Sequence, residues 1–168
     1  MSLDPKNLPY DLLVHALFEN AVLHAQNFSQ RAEDELPLSK EVHYQLAAQI
    51  GEYAVAIMIF YFRSAGKTDL QQQVLQKHED FIKANCGTTD PQAQQDFLQA
   101  WRDEIRRKVM WLSVGNNVGS LRHNTFAQNI LSDSGFKTAG CRESQLDPLI
   151  EQFVNDLRES MVHFGVST

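Results

Sequence analysis

The sequence predicts an all-α protein, a single-domain bundle of about six helices packed mainly antiparallel around an apolar second helix. Three observations carry this reading. Apolar residues recur at spacings of three and four along most of the chain. Prolines, glycines and capping residues separate those stretches. One segment alone, YAVAIMIFYF from Tyr53 to Phe62, has the β-branched and aromatic content of a strand, and it finds no second candidate to pair with. A lone strand would leave its backbone groups unsatisfied.

The first helix is predicted to start near Pro9, because proline is tolerated in a first turn. Its stripe is Leu13, Leu17, Ala21, Ala25 and Phe28, widened by Val14, Phe18 and Val22. The acidic turn Glu33-Asp34-Glu35 and Pro37 end it. Ser39 caps the second helix, which runs to about Ser64, with Gly66 as a left-handed stop. Its second half is apolar on all sides, so it must be central or buried in a subunit interface.

Thr68 is expected to cap the third helix, with Leu70, Val74, Phe81 and Ile82 on one side and Gly87 after its end. Asp90-Pro91 opens the fourth, whose stripe reads Phe97, Trp101, Ile105, Val109 and Leu112. VGNNVG, from Val114 to Gly119, breaks it. An unbroken helix from Pro91 to Leu131 would be about 60 Å long, too long for this domain. A short fifth helix over 120–131 and a sixth opening at Asp147-Pro148 complete the set. The sixth carries Ile150, Phe153, Leu157, Met161 and Phe164 and stops at Gly165.

The chain has 168 residues, the size of one domain spanning 1–168, and 43% of them are hydrophobic. Fifteen basic residues against 21 acidic ones give a net charge of −6, a poor basis for binding nucleic acid or an anionic membrane. Met1 to Pro5 lacks the basic region and apolar core of a signal peptide. The ten-residue run from Tyr53 to Phe62 is half the length of a membrane span. Cys86 and Cys141 form neither a C-x-x-C pair nor a disulfide framework, although one bridge between them is open. A soluble cytoplasmic protein is expected.

Several motifs invite chemistry. Gly66-Lys67-Thr68 follows an apolar run like the end of a phosphate-binding loop, but Tyr61 stands where that loop needs its first glycine. His15 with Glu19, and Glu159 with His163, are pairs at spacing four, each on one helical face. Di-iron bundles use Glu-x-x-His instead, which this chain lacks, so exposed pairs are expected and no metal or cofactor. His24, His43, His78 and His123 share no spacing. The basic segment Arg102, Arg106, Arg107 and Lys108 carries Asp103 and Glu104 four positions before Arg107 and Lys108, the pattern of a solvated helix face.

The densest polar group is Asn116, Asn117, Ser120, Arg122, His123 and Asn124, at a helix break. It is the candidate small-ligand site, since a helix start near Ser120 presents free N–H groups. The Arg-to-His spacing of helical nucleases is not met, because Gln128 stands six positions after Arg122. No nucleophile elbow or catalytic triad can be assembled, and no catalytic residue is assigned.

The functional expectation is therefore a non-enzymatic bundle acting through protein contacts, as a homodimer and without nucleic acid or membrane. A ligand- or metal-binding bundle is the alternative, and a small hydrolase or nuclease comes third. Ile57 and Phe60 are expected to be nearly fully buried. A strip drawn from Ala56, Ile59, Tyr61 and Phe62 is expected to lack cover within one chain and to seek a second copy.

Overall fold

The computed structural model describes residues 4–113 and 143–167. It is all-helical: a 3-10 turn at Pro5–Asn7 is followed by α1 (Tyr10–Glu35), α2 (Lys40–Ser64), α3 (Thr68–Ala84), α4 (Pro91–Ser113) and α5 (Glu143–His163). No strand occurs among the described residues. The helix expected over 120–131 lies outside them.

The helix ends follow from local chemistry. Ser39 Oγ accepts from the Val42 amide at 3.3 Å at the start of α2. Asp90 Oδ2 accepts from the Ala93 amide at 2.9 Å at the start of α4. Gly66 (φ 67°) and Gly165 (φ 72°) terminate α2 and α5. In each case the next amide bonds back to the carbonyl five residues earlier, Lys67 to Phe62 and Val166 to Met161, both at 2.8 Å. Gly66 is thus a helix stop and not part of a phosphate loop. Thr68 is no cap, contrary to expectation. The tight stop places Lys67 at the cap position, where its side chain makes no capping bond.

Helix α5 already runs at Glu143 and holds Pro148 inside it, rather than opening at Asp147-Pro148. As its sixth residue, Pro148 lies past the first turn and gives up one backbone bond, to the Ser144 carbonyl.

Helix α2 packs against α1, α3, α4 and α5, while α1 also meets α3 and α5. Every residue from Tyr53 to Ile59 is buried. By length and composition α2 is apolar enough to cross a membrane, and here most of that window is buried among its four neighbouring helices. Ile57 is fully buried, as expected, but Phe60 is only half-buried, and the buried aromatic at this end is Phe62. Ala56, Ile59 and Phe62 are covered within one chain, and Tyr61 is partly covered.

The stripe of α4 also needs correction. Phe97 is 49% exposed, and Leu98 is buried in its place. Steps of four gain about 40° each on a helix of 3.6 residues per turn. Phe97, twelve residues before Val109, has drifted about 120° from it, whereas Leu98 lies within about 20°.

Candidate functional site

Small residues on two helices leave a cleft of about 570 Å³ among α1, α2, α3 and α4. Ala21, Ala25 and Ser29 recur every four residues on α1. Ala47, Ala48, Gly51, Ala54 and Val55 form the facing surface of α2. His78, Phe81 and Ile82 of α3 and Phe97 and Trp101 of α4 complete the wall. Phe81 and Phe97 stand at the mouth, each nearly half exposed.

Gly51 is the decisive residue of this surface. It lies in the middle of α2, where glycine costs roughly 1 kcal/mol against alanine. Its φ is not positive, so the backbone does not require glycine. A Cβ placed on it would meet no atom within 4 Å, so no close approach requires glycine either. What Gly51 leaves is space.

Two polar groups reach this apolar surface from the core. His78 is 5% exposed, and its Nε2 has no hydrogen-bond partner among the described residues. Its ring packs edge-on against Phe18, with centroids 4.7 Å apart. Burial pushes its pKa down to about 4, so the imidazole is neutral at pH 7. Glu52 is the other group, with one carboxylate oxygen, Oε2, 2.7 Å from Lys108 Nζ. Burial pushes the Glu52 carboxyl up, against the hydrogen bond and charge of Lys108.

No family model, curated protein or solved structure matches this chain.

Lys108 is the largest departure from the expected solvated face. Its side chain is fully buried. Nζ bonds Glu52 of α2 at 2.7 Å and Glu104 of its own helix at 3.2 Å, and lies 5.0 Å from the centre of the Tyr53 ring. The neighbouring charges do sit at the surface, though in a different pairing. Arg106 meets Asp103 at 3.1 Å and Arg107 meets Glu104 at 3.0 Å, both at spacing three. Asp103 with Arg107, the expected pair, gives way to these. Arg102 reaches across to α3 and grips both oxygens of Glu79, at 2.6 and 2.9 Å.

Arg102 and Glu79 belong to a second cleft, of about 530 Å³, which also has Trp101 in its lining. Arg63, Arg106 and Met110 rim it, and Ile59, Ile105 and Val109 form its floor.

A third polar group ties α1 to α5. His24 Nε2 lies 2.7 Å from Ser160 Oγ, and that hydroxyl donates to Asn20 Oδ1 at 3.3 Å. Asn20 turns its amide nitrogen to the Ala16 carbonyl, so Oδ1 must face Ser160. With its one proton given to Asn20, Ser160 accepts from His24. The histidine is then a donor to the serine rather than its base, which is the wrong arrangement for a nucleophile. Burial lowers the His24 pKa, and Asp156 partly opposes this.

The positions singled out from sequence are not gathered here. Asn116, Asn117, Ser120, Arg122, His123 and Asn124 lie outside the described residues, as does Cys141. Cys86 is a free thiol that bonds the Lys83 carbonyl at 3.2 Å. His15 and Glu19 form an exposed pair at 3.0 Å. Glu159 and His163 border a shallow surface depression, and the His163 ring packs on Phe164. Among the described residues no group of three or more His, Cys, Asp or Glu is placed to hold a metal.

Sequence reasoning misses Glu52 and gives His78 and Lys108 no site role, yet both of these carry a periodic signal. His78 lies four and eight residues after Val74 and Leu70, on the buried stripe of α3. Lys108 lies seven after Trp101, on the buried stripe of α4. Gly51 carried a simpler signal, a glycine at the centre of a long helix.

Proposed function

We propose that this chain is a non-enzymatic helical bundle that binds a small, mainly apolar molecule in the cleft between α1 and α2. The observation that carries the reading is Gly51: a helix-interior glycine with open space over it, in a cleft whose buried wall holds an unpartnered histidine. Few convergent polar groups in an apolar hollow of this volume are the usual makings of a ligand site. Packing alone offers no reason for the glycine.

The test uses N-phenyl-1-naphthylamine, a neutral dye that brightens out of water. One saturable site per chain is expected, and Gly51→Leu, which fills the hollow from an unobstructed position, abolishes it while the circular dichroism spectrum stays native. Unchanged dye binding in a folded Gly51→Leu protein refutes the reading.

A second reading is the homodimer. Leu12 and Leu23 are each about half exposed and lie eleven residues apart on one face of α1, within about 20° of one another. A pair of such faces is self-complementary under two-fold symmetry. Light scattering at micromolar concentration tests it, with twice 19.1 kDa as the expected mass. In both readings the bundle is taken as antiparallel and as having six helices, the short fifth one over 120–131.

A further inference from the structure

We propose that the ligand of the α1–α2 cleft is an organic cation, a protonated amine on an apolar body. This rests on the reading of the cleft as a ligand site and names the chemistry it selects.

The two charged side chains among the described residues of the lining, Glu33 and Glu52, are both acidic. The nearest cations, Lys108 and Arg107, act on Glu52 from outside that lining. Lys108 lies behind Glu52 and divides its Nζ between two carboxylates, Glu52 and Glu104. Only one Glu52 oxygen is used by that contact. The other has no hydrogen-bond donor among the described residues, on a side chain that is 17% exposed. An N–H of an ammonium group supplies the missing donor, and a charge-assisted bond of this kind is about twice as strong as a neutral one.

Aromatic rings add to the selection. Phe81, Phe97 and Trp101 line the same cleft. The faces of such rings attract cations, tryptophan most strongly. His78 contributes no positive charge, because its ring is neutral at pH 7. Its Nε2, buried without a partner, is a further polar contact for a bound N–H when it carries the lone pair.

The two other ligand classes fare worse. A carboxylate or phosphate would meet two acidic side chains, Glu33 and Glu52, and no cationic one among the described residues of the lining. A wholly neutral hydrocarbon would strip water from the Glu52 oxygen and return nothing. The volume suits a drug-sized molecule and leaves room for an apolar body between Ala21, Ala25 and Gly51.

A matched series isolates the charge: 4-phenylbutylamine, 4-phenylbutanol and 4-phenylbutyrate differ only at the end group. Each competes with N-phenyl-1-naphthylamine on the full-length protein at pH 7. The amine is expected to displace the dye at concentrations at least tenfold lower than the alcohol, with the carboxylate weakest. Glu33→Gln, at the exposed rim, is expected to reduce the advantage of the amine in part. Glu52→Gln is expected to remove most of it while the alcohol still binds. If Glu52→Gln fails to fold, Glu33→Gln and the three-ligand ranking still decide. Equal displacement by amine and alcohol, or preference for the carboxylate, overturns the cation inference and leaves the cleft standing. Failure of the dye and all three compounds to bind overturns both.

Discussion

Lys108 Nζ, with no surface open to solvent, sits 2.7 Å from Glu52 Oε2 and joins α4 to α2 inside the bundle. Taking Lys108 away leaves Glu52, only 17% exposed, without the partner that balances its burial. Lys108→Ala is expected to cost about 3–5 kcal/mol in urea denaturation. Replacing both members, Lys108→Met with Glu52→Leu, is expected to recover most of that loss, because well-packed apolar groups replace buried pairs at little cost. A double variant as unstable as Lys108→Ala would mean that the contact matters for shape rather than charge.

Gly51→Ala is expected to stabilise the protein by about 0.5–1 kcal/mol, seen as a higher melting temperature. The added methyl meets no neighbour, so propensity acts alone. A fall in melting temperature would show that the space over Gly51 is filled.

The two phenylalanines near the end of α2 should behave differently. Phe62 is 1% exposed, and Phe62→Ala is expected to cost about 3–5 kcal/mol through lost burial and a cavity. Phe60 is only half-buried, and Phe60→Ala should cost about half as much or less. Equal losses in chemical denaturation would contradict the burial difference.

Acid should weaken the fold through His78. Its native pKa is about 4, below the ordinary 6.5 that holds in the unfolded chain. Between these values the unfolded chain takes a proton that the native one refuses, so stability is full above pH 6.5 and falls as the pH drops toward 4. The slope approaches 1.4 kcal/mol per pH unit. His24 is displaced in the same direction. From pH 7.5 to 5, His78→Phe is expected to lose about 2 kcal/mol less stability than the wild type. Identical losses would mean that His78 titrates normally in the native state.

Much of the fold was legible because it is written in nearest neighbours. Ser39, Asp90, Gly66 and Gly165 act on residues within one turn, and each does what its chemistry predicts. The central place of α2 was legible too, since seven consecutive apolar residues leave no face for water. The site was not. Glu104 and Lys108 fit the pattern of an exposed pair, and the residue that draws Lys108 inward, Glu52, is 56 positions away. Nor does a list of side chains describe a hollow. Ala21, Ala25 and Gly51 read as ordinary core positions until two helices set them facing one another. The cover over Ala56, Ile59 and Phe62 is illegible for a related reason: how much of α2 its neighbours cover depends on their placement, not on the width of their own stripes.

Trp101 stands in the wall of both clefts, the acidic one and the one rimmed by Arg63 and Arg106. The two hollows therefore share a partition. Room gained on one side by turning the indole is taken from the other, and whatever holds the ring in one orientation sets the shape offered to the opposite occupant. Such an effect runs equally in both directions. With Trp111 replaced, it also makes one ring, 8% exposed, an optical gauge of either compartment.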